Sequence, residues 1–381
     1  MLGDWPGRFG AAFTLLACAG LLLAACGGEP RIIEPEPPPP AETEPVPAAN
    51  ETDPGENEAL SLPRPGPGET LHPLTGYPVD MVLLERRPFL VSVDNHPRAR
   101  PQYGLSRADL VYEVPVEGGV TRFAALFWAH EAEQIGPVRS SRPYFLDLAV
   151  EWQAAFLHAG GSPQHYEQID RLAIPDIDDI RGAAGGGVFW RGDDRNPPHN
   201  LYTGSQQVRE KIAQRDWDLT PARRDLWRYA LPADLPAADA AEGIEVRWPA
   251  TGGAPERFVY DETSGLYARY VGDEIQIDGL NDEALRMRNL IIQLVDTRVI
   301  PGDTEGRLEV NVIGSGRAMV ASSGTVREAR WRKVDRPSPT VFTEAGGEPL
   351  TLVPGPTWIL VVPVTAEITP VRGGAEASPS E

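Results

Sequence analysis

Between residues 88 and 215 the apolar positions alternate in period two over some stretches and recur every three or four residues over others. "PFLVSVD" (88–94) reads as a strand, and "DLVYEVPV" (109–116) alternates, with Pro115 marking an edge or a strand end. "VTRFAALFWAH" (120–130) is a longer strand, which Glu117-Gly118-Gly119 joins to the one before it as a hairpin. "AAFLHAG" (154–160) is a buried strand. The helical periods predict helices over 143–152, 162–172 and 203–215. This mixture predicts a three-layer α/β domain with a mixed sheet over residues 71–230.

Further on the pattern changes. "LPADLPAADAAEG" (231–243) is rich in Pro, Ala and Asp and is predicted as a linker. Residues 244–365 hold short alternating runs such as "NLIIQLV" and "PLTLVPGPTWILVVPV", separated by Gly, Asp and Pro turns, which predicts a β-rich domain. Residues 366–381 are expected to be a disordered tail.

The N-terminus follows other rules. "FGAAFTLLACAGLLLAAC" is an apolar stretch ending in small residues, as in a signal peptide spanning residues 1–25. Leu23-Ala24-Ala25-Cys26 resembles the lipobox of bacterial lipoproteins. That resemblance implies cleavage before Cys26 and acylation of it, and two acyl chains suffice for stable anchoring. Residues 26–70 are Pro- and Glu-rich without apolar periodicity, so a disordered spacer is expected there.

Charge and cysteine usage remove several classes of function. The formal net charge is −20, which argues against nucleic acid as a partner. The two cysteines, Cys18 and Cys26, both lie in the leader and its cleavage site, so the mature domains have no thiol nucleophile, disulfide or cysteine-bound metal. No P-loop, Gly-x-Ser-x-Gly, Ser-x-x-Lys or zinc-protease motif is present. The histidines match no metal-ligand spacing, and no cofactor is expected.

The candidate chemistry centres on "IGPVRSSRPYF" (135–145). Proline opens a helix, serine before it caps the helix, and a helix start presents free N–H groups. With Arg139 and Arg142 flanking Ser140 and Ser141, the stretch reads as an anion site, which Arg122 would support. "HAGGSPQHYEQI" (158–169) repeats the grammar with Ser162 and Pro163. Two such entrances would lie at one edge of the sheet, where open α/β sheets bind ligands. His158 and His165 would face that edge as acid/base candidates, with Asp94 or Glu117 as carboxylate partner. The Gly-rich segment 182–205 is long enough to close over the site and carries His199 and Asn200. Against all of this stands a purely structural reading, in which the serines only cap and the arginines only pair.

Taken together, "HPLTGYP", "DNHPRARPQYGLSRADLVYEVPVEGGVTRFAALF", "IGPVRSSRPYFLDLA", "HAGGSP", "PPHNLYT" and "PGPTWILVVP" resemble the YerB-like lipoproteins, a domain of unknown function (DUF3048) with an N-terminal and a C-terminal part. The resemblance spans about residues 72–365. It implies a protein lipid-anchored on the outer face of the bacterial cytoplasmic membrane, and it implies no reaction. A fainter likeness, Arg107-Ala108-Asp109 followed by Pro137-Val138-Arg139-Ser140, is to the LytR-CpsA-Psr phosphotransferases. Three functions follow as expectations: a binder of an anionic envelope ligand, an envelope enzyme acting on phosphate- or sugar-polymer precursors, or a structural lipoprotein that binds a protein partner.

Overall fold

The computed structural model describes residues 61–372, apart from 173, 183–185, 223–224 and 250–253. The expected signal peptide, Cys26, most of the expected spacer and the last nine residues lie outside the described residues. Eleven strands form the central sheet. In chain order they are Phe89–Asp94 (β1), Leu110–Pro115 (β2), Thr121–Phe127 (β3), Ala155–His158 (β4), Asp176–Asp178 (β5), Asp239–Ala240 (β6), Asn289–Val295 (β7), Gly314–Ser322 (β8), Thr325–Lys333 (β9), Val341–Glu344 (β10) and Thr357–Pro363 (β11). Their spatial order is β6-β9-β8-β7-β11-β2-β3-β1-β4-β5, with β10 also paired to β9. The sheet is mixed: β2, β3 and β1 are antiparallel neighbours, while β1, β4 and β5 run parallel.

The α/β part and the β-rich part share this sheet. β11 lies parallel to β2, with Trp358 opposite Val111 and Leu360 opposite Glu113. Pro115 therefore ends an interior strand rather than marking an edge. β11 pairs with β2 only through Glu113, so the missing N–H of Pro115 removes no ladder bond on that side.

Alternation along the strands buries both faces. In β1, Phe89, Val91 and Val93 join one apolar cluster and Leu90 the other. Helix α1 (Pro143–Glu151) covers the Leu90 face, and α2 (Pro163–Ile169) adds Ile169 to it. Helix α3 (Ser205–Gln214) covers the opposite face through Val208 and Ile212. Beside it packs a second, six-stranded sheet, which contributes Ile244, Val246, Phe258 and Tyr267.

Two segments expected to be irregular are ordered. Within 231–243, β6 pairs with the start of β9. Within the expected tail, Glu367–Val371 pairs along the whole of Gly243–Arg247. The sheet edge satisfies backbone groups that composition alone had assigned to solvent. A buried ion pair ties α1 to the β-rich part. The Lys333 ammonium lies 2.8 Å from Glu151 Oε2, and Thr340 donates its N–H to Glu151 Oε1 at 2.6 Å.

Candidate functional site

The two helix entrances do meet at one end of the sheet. Ser141 and Gly161 form a parallel bridge, with the Ser141 N–H donated to the Gly160 carbonyl at 2.8 Å. Ser162 caps α2 as its sequence suggests, its hydroxyl accepting the His165 N–H at 3.2 Å. Ser141 does not cap α1. The N-cap residue there is Arg142, and the Ser141 hydroxyl donates to the Arg142 carbonyl at 3.2 Å.

Arg142 is not a free anion clamp. Its side chain is buried and forks onto the Glu117 carboxylate, with Nε 2.8 Å from Oε2 and Nη2 against Oε1. Nη1 donates to the Ser141 carbonyl at 2.6 Å and to the Ser140 hydroxyl at 3.3 Å. Glu117 is consumed by the same pair, so neither residue fills the role expected from sequence. A bidentate guanidinium–carboxylate pair satisfies both charges internally.

His158 and His165 lie together but are closed to solvent. Their rings pack edge to face at 4.7 Å, and both are fully buried. His158 is engaged at both nitrogens, with the Gly160 carbonyl at 2.9 Å and Asp176 Oδ1 at 2.7 Å. His165 has no hydrogen-bond partner at either nitrogen, and burial, reinforced by His158, pushes its pKa down to about 3. A neutral, sealed imidazole does not shuttle protons to a ligand. Gly161 makes room for it, since a Cβ there would fall 2.3 Å from the His165 ring.

The side chains that do converge near solvent are Asp94, His96, Arg122, Arg139 and His199. Asp94 ends β1 and sits opposite Arg122 of β3, so both leave the sheet on the α1 face. The segment before α1 runs antiparallel beside the end of β1, with the Arg139 N–H donated to the Ser92 carbonyl at 2.8 Å. This places Arg139 Nε 3.3 Å from Asp94 Oδ2. The strands Phe189–Arg191 and Leu201–Thr203 form a hairpin whose loop carries His199 back to the same carboxylate, Nδ1 at 2.8 Å. Asn200 holds that loop rather than the site, accepting from Arg191 at 3.0 Å and donating to the Gly192 carbonyl at 2.7 Å.

His96 completes the cluster, stacked on His199 with ring centroids 4.7 Å apart. Its Nδ1 accepts the Arg98 N–H at 3.1 Å, so the neutral ring carries its hydrogen on Nε2. His199 uses the other arrangement, donating Nδ1–H to Asp94 Oδ2. Burial and the neighbouring His199 lower the His96 pKa, against the attraction of Asp94. Arg122 is buried and donates to the Ser140 carbonyl at 2.6 Å. Burial lowers its pKa to about 10, and Arg139 adds to that shift. Arg139 keeps about a third of its side chain exposed, and its terminal nitrogens make no hydrogen bond among the described residues. The cluster therefore sets three arginines (Arg98, Arg122 and Arg139) around one carboxylate and two imidazoles.

A second histidine–carboxylate group, His72, Asp109 and His130, has the spacing of a metal site but not its chemistry. His72 Nδ1 accepts the Leu74 N–H at 3.0 Å, and its Nε2 lies 2.8 Å from Asp109 Oδ1. His130 Nδ1 meets the same oxygen at 2.7 Å, and three backbone N–H groups from Trp128 to His130 fill Oδ2. Burial alone would raise the Asp109 pKa, but His72 and His130 outweigh it and hold the carboxyl well below the usual range. Both oxygens are occupied by donors, which is the arrangement of a structural carboxylate.

The family model described as the N-terminal domain of a protein of unknown function (DUF3048) matches residues 74–218, and the corresponding C-terminal domain matches 244–359. The chain is 32% identical over 293 residues to "Putative lipoprotein YerB" of Bacillus subtilis (strain 168), covering 76% of this chain and 86% of that one. It is also similar to the crystal structure of the YerB protein from Bacillus subtilis, with a TM-score of 0.69 and 30% identity, covering 79% of this chain and 99% of the other.

Proposed function

The chain belongs to the DUF3048 family, and from that premise we propose that it is an extracytoplasmic lipoprotein that binds an anionic cell-envelope ligand at the Asp94–His96–Arg122–Arg139–His199 cluster. Anchoring through acylated Cys26 is supported by Leu23-Ala24-Ala25-Cys26 and by the lipoprotein name of the Bacillus subtilis relative. Among the described residues no helix is long and apolar enough to cross a membrane.

One observation carries the binding reading: the excess of cation over carboxylate around His96, with Arg139 partly exposed and its terminal nitrogens without a hydrogen bond among the described residues. Arg139 offers a fork for phosphate or carboxylate, and His96 Nε2–H a second donor. Arg142 holds the backbone that presents Arg139 and touches no ligand. Thermal-shift screening of the full-length chain in mild detergent against phosphate, pyrophosphate and dicarboxylates tests this. Stabilisation by one of these anions, lost in Arg139→Gln, supports the reading; no shift with any of them overturns it.

A second reading rests on the Asp94–His199 pair. A buried carboxylate that takes Nδ1–H leaves His199 Nε2 as a base beside Arg139, as an envelope enzyme acting on phosphate esters requires. His199→Gln separates the two, because a binder keeps most of its affinity and an enzyme loses turnover.

A further inference from the structure

A groove with a volume of about 710 Å³ lies away from this cluster, on the outer face of β8, β9 and β10. Register places Arg317 opposite Arg330, and Ser315 opposite Arg332. All four share one face of the sheet because side chains alternate. β10 sets Val341 beside Arg332 and Thr343 beside Arg330. Like charges directly opposite each other are unfavourable in a sheet. Only Arg317 has an acidic partner, Glu328 at 3.0 Å, and that pair is exposed on both sides. Arg330 and Arg332 make no ion pair or hydrogen bond among the described residues. Apolar side chains rim the same groove, with Val334 58% and Val341 40% exposed.

In a chain of net charge −20, this cationic, apolar-rimmed face runs against the overall charge, and Arg330 and Arg332 are left without acidic partners among the described residues. A hydrated polyanion would be served by the arginines alone. A bilayer surface is served by both features, phosphates for the guanidinium groups and the interfacial layer for the valines. We propose that this face rests on the anionic surface of the membrane. This rests on the reading of the chain as a membrane-anchored lipoprotein. Three arginines bind weakly alone, but an anchored chain presents them at high effective concentration, so the contact sets orientation rather than attachment.

The test uses full-length chain purified from membranes and mixed with vesicles of phosphatidylcholine alone or of phosphatidylcholine with phosphatidylglycerol, whose anionic surface attracts basic side chains. Flotation reports attachment, and amide hydrogen exchange over residues 314–343 reports the face. The expected result is flotation with both vesicles and roughly tenfold slower exchange of that segment only on the anionic ones. Arg330→Gln/Arg332→Gln should abolish the slowing without reducing flotation. Flotation with both but equal exchange overturns the face and leaves the anchor standing. Flotation with anionic vesicles only, with protection, supports the face and overturns the anchor. Flotation with neither overturns both. Protection by soluble polyphosphate equal to that by anionic vesicles contradicts the bilayer as occupant.

Discussion

Glu256 should make the fold less stable as pH rises through the neutral range. It belongs to a buried trio in which Arg269 Nη2 contacts Glu256 Oε1 at 2.8 Å and Glu113 Oε1 at 3.0 Å. Asn95 and Thr121 donate to the same Glu113 oxygen at 2.9 and 2.5 Å. Arg269 and Glu113 are fully buried and Glu256 is 4% exposed. Two carboxylates facing one guanidinium cannot both ionise cheaply. Burial and the adjacent Glu113, against the pull of Arg269, push the Glu256 pKa up to about 8 from an ordinary 4.5. The folded state thus holds a proton that the unfolded chain releases above about pH 4.5. Stability from this group is full below that value and is lost as pH rises to about 8. At about 1.4 kcal/mol per pKa unit the effect is at most about 5 kcal/mol, and sharing with Glu113 makes about 3 kcal/mol a reasonable expectation.

Glu256→Gln mimics the protonated acid and has no proton to lose. Thermal unfolding of wild type and Glu256→Gln from pH 5 to 9 isolates the group, because all other titrations cancel in the difference. The midpoints should converge near pH 5, and the wild type should fall about 5–10 °C below the variant by pH 9. Parallel curves would refute the shared-proton argument.

Gly161→Ala forces a methyl into the His165 ring and should cost on the order of 1–3 kcal/mol in denaturant unfolding; adding His165→Ala should recover part of the loss. Lys333→Met leaves Glu151 buried without its cation and should cost about 3–5 kcal/mol, whereas Glu151→Leu/Lys333→Met should cost less than the single change. Arg142→Ala should lower stability by a few kcal/mol, roughly as for other broken buried pairs, and should weaken anion affinity less than Arg139→Gln does, because Arg142 acts only through the backbone that presents Arg139. Anion affinity should rise as pH falls below the ordinary histidine range, because the pKa of His96 is lowered and protonation adds charge to the site; calorimetry at pH 5 and 7.5 checks the sign.

Local pattern made much of this fold legible. The period-two runs, the Glu117-Gly118-Gly119 hairpin and the Ser162-Pro163 helix start each depend on neighbours in the chain. The pairing of β11 with β2 does not. It brings Trp358 against Val111, and no short-range signal specifies that contact. The same limit explains the site. Arg139, Arg122, Asp94 and His199 were visible as residue types, but the sequence could not show that Glu117 takes Arg142 while Arg139 stays partly exposed beside Asp94. His96 was visible only as one of several scattered histidines. Its role follows from the stacking on His199, which the hairpin loop delivers from a hundred residues away. The strand Glu367–Val371 was missed because its alternation is short and interrupted by Pro370, and only the waiting edge of Gly243–Arg247 orders it.

Calorimetric titration of the full-length chain in detergent with inorganic pyrophosphate, for wild type and Arg139→Gln, tests the anion site most directly. Saturable binding by the wild type, weakened about 10- to 100-fold in the variant as loss of a charged hydrogen-bond pair requires, is the expected result. Equal affinity in the two proteins, or no binding by the wild type, would contradict it.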